Sequence, residues 1–331
     1  MAVMVTGATG FLGINLLQNL LASGERVVGF SNRALPEAAA QALGDTGHLS
    51  MIVGDVRDRA AVEAALRDHA VRRVVHAAVV TSGPAREREE AEQVIGINIG
   101  GLSAVAAASA RHGIERLVLV GSVAVFSGRL DSSGLLTEET PHNATSLYAI
   151  SKSTCEAILA RIAGLNDLDW VVGRLGTLFG PWERDTGFRD TLSPIHQVTR
   201  LALGAGHAHL PRPAPRNWHY SRDAARALAR LTLAPELRHH IYHLAPQSVW
   251  TLQSWCEALQ VRYPGFGFSI GDAAAPTGSE TVDLYEPRDS ALLSWQRYGS
   301  EFGPTASYDR ETAFADYMDW IARTGARAGW V

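Results

Sequence analysis

The stretch VTGATGFLG constrains this chain more than any other. It follows the first apolar run, AVMV (residues 2–5), and spaces Gly7, Gly10 and Gly13 at intervals of three before an amphipathic segment begins. A strand that turns on glycines straight into a helix leaves free N–H groups at the helix start. With the positive end of the helix dipole, these suit an anion. Gly7 permits the tight turn, Gly10 lets backbone approach a pyrophosphate, and Gly13 lets the helix pack closely on the sheet. Thr9, Phe11 and Leu12 belong to the same expected cofactor loop. The expected ligand is a dinucleotide; the alternative is a glycine-rich turn without one.

The pattern continues through residue 180. Apolar runs at 2–5, 26–30, 49–53, 73–78, 116–122 and 169–175 read as buried strands. Helical patterns lie between them, including FLGINLLQNLLASG, with Gly24 as its expected end, and DRAAVEAALRDH, with Asp58 as its expected N-cap. Strands alternating with helices imply parallel pairing, so the expected fold class is α/β: a Rossmann-type, doubly wound parallel sheet. Beyond 180 the chain turns irregular and rich in Pro, Trp and His. Residues 1–180 are therefore expected to form the nucleotide-binding domain. Residues 181–331 are expected to be mainly a smaller substrate-binding region, part of which returns to the sheet. Helices are expected at 222–233 and 254–260.

Composition narrows the partners. A net charge of -4 gives no footprint for nucleic acid or an anionic membrane. Two cysteines, Cys155 and Cys256, are too few for a disulfide framework and fit a reducing, cytoplasmic setting. The longest apolar run, LVLVGSVAVF, is short of a membrane span, and the amino terminus lacks the pattern of a signal peptide. His196, His207 and His209 are not compactly spaced, so no metal is expected.

The second strand ends GFSNR. An acidic residue there would bind the ribose 2′-OH of NAD; Ser31, Asn32 and Arg33 suit a 2′-phosphate instead. NADP(H) is the favoured cofactor, with NAD(H) left open. Further along, SLYAISKST holds Lys152, the single lysine among 30 Lys and Arg residues, four positions after Tyr148. Residues four apart share a helix face. A cation beside a phenol favours its phenolate and suits it to exchange a proton with a carbonyl or alcohol. Lysine offers a compact charge where arginine offers a wide fork.

TGATGFLG, GDV (54–56), HAA (76–78), GSVAVF (121–126), YAISK (148–152) and RLGTLFGP (174–181) occur in this order. The chain thereby resembles the extended short-chain dehydrogenases/reductases, the NAD(P)-dependent epimerase/dehydratase family. The resemblance covers almost the whole chain. It implies an enzyme, usually a homodimer joined through helices near 86–112 and 146–163, acting on a small-molecule substrate. By position, Asp55 and Val56 would meet the adenine, and Ala77, Ala78 and Leu175 would line the cofactor path. Ser122, Tyr148 and Lys152 would form the proton-transfer set, with Asn98 in support. Thr81, Ser122, Phe126, Thr177, Trp182, Arg184 and Arg216 would meet substrate, with Thr186, Arg189, Arg212 and His219 nearby. Phe126 departs from the family's usual tyrosine.

The same motifs sort the reactions. Family dehydratases carry Asp and Glu after the catalytic Ser or Thr; here Val123 and Ala124 follow. Ala124 also stands where enzymes resembling GDP-fucose synthase have cysteine. Thr177 replaces an asparagine usual in nucleotide-sugar enzymes, while Arg216 matches their anion-binding arginine. The favoured reading is an NAD(P)-dependent oxidoreductase acting on a secondary alcohol or ketone of a small polar, sugar-like substrate, with Tyr148 as acid/base. The runner-up is a nucleotide-sugar 4-epimerase with retained NAD. A non-catalytic dinucleotide sensor is third, because it would not need the Ser122–Tyr148–Lys152 set.

Overall fold

Alternation within single strands builds both faces of the sheet. In β1 (Ala2–Thr6), Val3 and Val5 join the apolar core on one side while Met4 joins the core on the other. Val74 and Val75, and then Val171 and Val172, divide the same way. Strands buried on both faces need helices on both sides, which parallel connections supply. The structure is a computed structural model that describes residues 1–45, 47–127, 134–273, 275–289 and 291–325.

The remaining strands of the main sheet are β2 (Arg26–Ser31), β3 (Leu49–Val53), β4 (Arg73–His76), β5 (Arg116–Ser122), β6 (Trp170–Leu175) and β7 (Ile241–Leu244). All seven are parallel, in the order β7-β6-β5-β4-β1-β2-β3. The strand order reverses between β1 and β4, and ligands of open α/β sheets bind at such a point, beyond the carboxyl ends of the strands. β7 lies well beyond residue 180, so the later chain does return to complete the sheet. The strand expected over 73–78 stops at His76, because Ala77 and Ala78 turn across the glycine loop.

Five helices matter for the site: α1 (Phe11–Ala22), α2 (Arg59–Asp68), α3 (Gly101–Arg111), α4 (Leu147–Asn166) and α5 (Ser221–Leu233). Asp58 caps α2 by accepting the Ala61 N–H at 3.1 Å. Past α1, the Gly24 N–H closes the end on the Leu21 carbonyl at 2.9 Å. α1 and α5 cover one face of the sheet; α2, α3 and α4 cover the other. The helical run Ala91–Arg111, which leads through a π-helical turn at Gly96–Gly100 into α3, is long and apolar enough by length and composition to cross a membrane. Here it packs against α2 and α4. A third core, dominated by aromatic rings, joins the carboxy-terminal elements. Trp250 stacks on Trp255 at 5.5 Å, and Trp182 meets Trp320 edge-on at 5.3 Å.

Burial shapes the acid stability of this fold. His76, His196, His219 and His243 are buried, and loss of hydration pushes each ring down from 6.5 to about 3. Each stays neutral in the native state but takes a proton in the unfolded chain below pH about 6.5, so its contribution is lost as pH falls from there towards 3. The loss is at most about 1.4 kcal/mol per pH unit for each ring. Glu183 and Asp223, whose carboxyls burial pushes up, act in the opposite direction. The urea midpoint is expected to drop between pH 7 and pH 5. His219→Phe, at a ring whose two nitrogens have no hydrogen-bond partner among the described residues, should flatten that drop. An identical pH slope in both proteins would show that His219 does not contribute.

Candidate functional site

The glycine loop is shaped by close approach. Gly7 has a positive φ of 67°, and a Cβ there would lie 2.8 Å from the backbone of Ala78. A Cβ on Gly13 would lie 2.2 Å from the Gly7 carbonyl oxygen. The turn after β1, the start of α1 and the exit of β4 therefore touch as bare backbone. No side chain caps the amino end of α1, and its first turn holds no acidic residue. Such an end favours an anion. Gly7, Thr9, Gly10, Phe11, Leu12 and Gly13 all line a cavity of about 1040 Å³ at the carboxyl ends of the strands.

From this loop the cavity runs one way past the ends of β2 and β3. Ser31, Asn32 and Arg33 line it, as do Asp55, Val56 and Arg57. The Thr9 and Ser31 hydroxyls are hydrogen-bonded at 2.7 Å. Arg57 grips the Asp55 carboxylate, with Nε 3.0 Å from both oxygens, and holds it below the usual carboxylate range. Among the described residues, no carboxylate forms a salt bridge with Arg33. Its Nη1 donates to the Thr186 carbonyl at 2.8 Å, and its guanidinium lies 4.5 Å from the centre of the Phe188 ring.

The other direction leads past Ala77 and Ala78 to the end of β5 and the start of α4. Ser146 caps α4 through the Ala149 N–H at 3.2 Å, which puts Tyr148 in the first helical turn. Ser122, Tyr148 and Lys152 line the same cavity as the glycine loop, together with Leu175. Lys152 is buried; its Nζ donates to the Val120 carbonyl at 2.8 Å and lies 5.9 Å from the centre of the Tyr148 ring. Ser122 Oγ accepts the Ala124 N–H at 3.1 Å, so its own O–H remains available to donate. Asn98 does not line the cavity. It sits in the π-helical turn, exchanges hydrogen bonds with the Val80 N–H (2.8 Å) and carbonyl (3.0 Å), and donates to Ser151 at 2.9 Å. Its side chain ties the loop after β4 to α4.

Thr81, Phe126, Thr177, Arg184 and Arg216 also line the cavity. Arg216 is buried, donates to Thr177 Oγ1 at 3.2 Å and to the Leu284 carbonyl at 2.7 Å, and its Nε has no partner among the described residues. Phe126 is almost wholly buried, edge-on to His142 and His243 and 5.4 Å from the Arg174 guanidinium. It forms wall more than contact. Trp182 corrects the sequence reading: it is in the aromatic core, with Nε1 on Gln18 at 3.1 Å, and does not line the cavity. An exposed-looking loop composition hid that packing. Arg212 is tied to Asp289 and His219 is sealed in the core, so neither reaches the site either. Arg184 sits beside the glycine loop, donating to the Thr9 carbonyl at 3.2 Å.

The segment 184–191 forms a strap over the cavity. The Phe188 carbonyl accepts from the Thr81 N–H at 2.9 Å, and the Asp190 carboxylate meets the Gly83 N–H and Arg86. Arg189 pairs with the buried Glu183 at 3.2 Å and donates to the Tyr285 hydroxyl at 3.1 Å. Burial works against the charge of Arg189, but Glu183 together with Tyr285 and Tyr148 more than offsets it and holds the guanidinium above its ordinary value. Tyr285, Asp283 and Leu293 complete the far wall. Sequence reasoning missed these three, because VDLYEPRDSALL carries no periodic signal and reaches the site only through the tertiary fold. Among the described residues, no three His, Cys, Asp or Glu side chains cluster as metal ligands would.

The model of the NAD dependent epimerase/dehydratase family matches residues 3–245. Curated relatives include sterol demethylase protein B of Methylococcus capsulatus, 30% identical over 63% of this chain and 58% of that protein. UDP-glucose 4-epimerase of Bacillus subtilis is 28% identical over 62% of each. D-erythronate dehydrogenase of Cupriavidus necator is 29% identical over 54% of this chain and 55% of its own length. The matched stretches thus span less than two thirds of these relatives. Among solved structures, UDP-glucose 4-epimerase of Thermus thermophilus in complex with NAD superposes with a TM-score of 0.77 at 21% identity, covering 98% of this chain and 99% of that one. MoeE5 in complex with UDP-glucose and NAD gives 0.75, also at 21% identity and with the same coverage. At this identity the likeness establishes the fold.

The close approach at Gly7 is directly testable. Gly7→Ala forces a side chain into positive φ and against the Ala78 backbone, so it should cost about 1–3 kcal/mol from backbone strain, with displacement of the loop added. Urea unfolding should show the loss, and calorimetric titration should show dinucleotide binding abolished. Wild-type stability with intact binding would mean that the loop tolerates a side chain there.

Proposed function

Because this chain belongs to the NAD dependent epimerase/dehydratase family, we propose that it is a nicotinamide-dinucleotide-dependent oxidoreductase acting on a secondary alcohol or ketone of a small polar, sugar-like substrate. The observation that carries this reading is one cavity lined by both the glycine loop and the Ser122, Tyr148 and Lys152 side chains. Gly7 to Gly13 and the open end of α1 would hold the pyrophosphate, and Ala77, Ala78 and Leu175 would flank the path to the reacting end, where a bound nicotinamide would supply or accept the hydride.

Tyr148 exchanges the proton with the substrate oxygen. Ser122 donates its free O–H to the same oxygen and fixes its position. Lys152, held by the Val120 carbonyl, places a compact positive charge beside the phenol and favours its phenolate when the proton leaves. Asn98 holds the framework around them. Residues 181–331 provide most of the substrate contacts, chiefly through Arg189, Arg216 and Tyr285. NADP(H) is the proposed cofactor, since Ser31, Asn32 and Arg33 offer hydroxyl, amide and cation and no carboxylate at the end of β2. NAD in the solved neighbours keeps NAD(H) as the alternative. We place the enzyme in the cytoplasm as a homodimer, with the exposed Ile150 and Leu165 of α4 in the contact; a purely monomeric species in sedimentation would refute the dimer.

A second reading, a 4-epimerase that keeps NAD bound through both half-reactions, is favoured by one feature: the buried cation Arg216 in the lining of the cavity. Denaturing protein purified without added cofactor separates the two. Near-stoichiometric NAD released would support the epimerase; no nucleotide, followed by tighter titration with NADPH, would support the dehydrogenase. Once a substrate is known, Tyr148→Phe should lower kcat by about 10²–10⁴-fold, the usual worth of a general acid–base, and leave cofactor affinity nearly unchanged. Full turnover by that variant would overturn the assignment. Lys152 is the sole lysine, so an amine-acylating reagent that spares the α-amino group should abolish activity at one side chain, with protection by cofactor.

A further inference from the structure

Two arginines from distant parts of the chain meet at the same end of the cavity. Arg33 comes from the turn after β2; Arg184 comes from the strap. Both line the cavity beside Thr9, Ser31 and Asn32. Among the described residues neither forms a salt bridge with a carboxylate. Their hydrogen bonds go to neutral backbone carbonyls, Arg33 to Thr186 and Arg184 to Thr9. Burial and the charge of Arg33 hold Arg184 below the usual arginine range, so the pair sits together at a cost. Like charges gathered without a counter-charge on the wall of a ligand cavity are complementary to an anion from the ligand.

We propose that Arg184 and Arg33 form a two-armed clamp for the 2′-phosphate of the adenosine ribose, making Arg184 a cofactor-specificity residue and not a substrate contact. This rests on the reading of the cavity as a nicotinamide dinucleotide site. The Thr9–Ser31 hydroxyl pair lines the same cavity and keeps one O–H to donate to the same phosphate. The clamp also joins cofactor choice to the strap. Arg33 holds the strap through the Thr186 carbonyl and the Phe188 ring, and Arg184 is itself the strap's first residue. A 2′-phosphate would neutralise both arms and draw the strap onto the glycine loop; a plain ribose would leave their repulsion in place.

The test is fluorescence titration of the full-length protein with NADPH and with NADH, in the wild type, Arg184→Gln, Arg33→Gln and the double variant. Glutamine keeps a donor for the carbonyl that each arginine now holds and removes the charge. Arg184→Gln should weaken NADPH by about 10–100-fold, the usual worth of a charge-assisted hydrogen bond, and change NADH little. The double variant should bind both cofactors alike. An equal loss for both cofactors in Arg184→Gln would assign it to the pyrophosphate or to the strap's fold and overturn the clamp, as would an unchanged NADPH affinity. Wild-type protein that binds NADH at least as tightly as NADPH would overturn the NADP(H) assignment and the clamp with it. Binding of neither would overturn the dinucleotide site itself. Thermal melts of the unliganded variants identify any that fail to fold.

Discussion

The contact between the Gly7 loop and the exit of β4 is the constraint on which the rest depends. A backbone-to-backbone approach, with no space for a Cβ, brings the carboxyl ends of β1 and β4 together at the place where strand order reverses. The open amino end of α1 is aimed there because α1 begins on that loop. Every other part of the site is placed relative to this junction. One arm, at the ends of β2 and β3, reaches the cationic corner; the other, at the end of β5 and the start of α4, reaches Tyr148.

Charge is distributed in the same way. Arginine serves the surface and the long-range ties. Arg116, for example, pairs with Asp169 and also reaches the Ala234 carbonyl at 2.6 Å. Arg174 locks Glu156 bidentately beneath Phe126, at 2.9 and 2.8 Å. Those roles reward a planar fork with several donors. Lys152 has a different task. It must fit between the β5 backbone and the Tyr148 ring, buried, with one carbonyl to grip. An ammonium suits that space, and a guanidinium would need more of it. The single lysine is thus placed where shape, and not only charge, discriminates between the two side chains.

Local signals carried well where a short stretch both specifies and occupies its structure. Asp58 caps the helix that it was expected to cap, and the Tyr148–Lys152 spacing lands on one helix face at the cavity. Signals failed where packing partners are remote. Trp182 lies in a loop rich in charge and glycine, yet it is buried against Trp320 and Gln18, which lie on two helices far apart in the chain. Arg184, two residues on, was expected to meet substrate by its position; it lines the cavity and donates to the Thr9 carbonyl, a partner far off in the chain. Asn98 was expected in support of the proton-transfer set; its three hydrogen bonds tie the loop after β4 to α4, a link between remote segments.

By itself the sequence determined the α/β class, the parallel sheet, the glycine turn into α1 and the pairing of Tyr148 with Lys152. Each of these follows from periodicity or spacing within a few residues, where sterics and helix geometry leave little choice. The tertiary structure alone decided that Arg33 and Arg184, far apart in sequence, share one corner. It also decided that Tyr285 and Leu293 form the far wall and that Trp182 belongs to the core. Those facts depend on how the strap and the carboxy-terminal chain fold back over the sheet edge. That path is set by the summed burial of many side chains, and no single stretch encodes it.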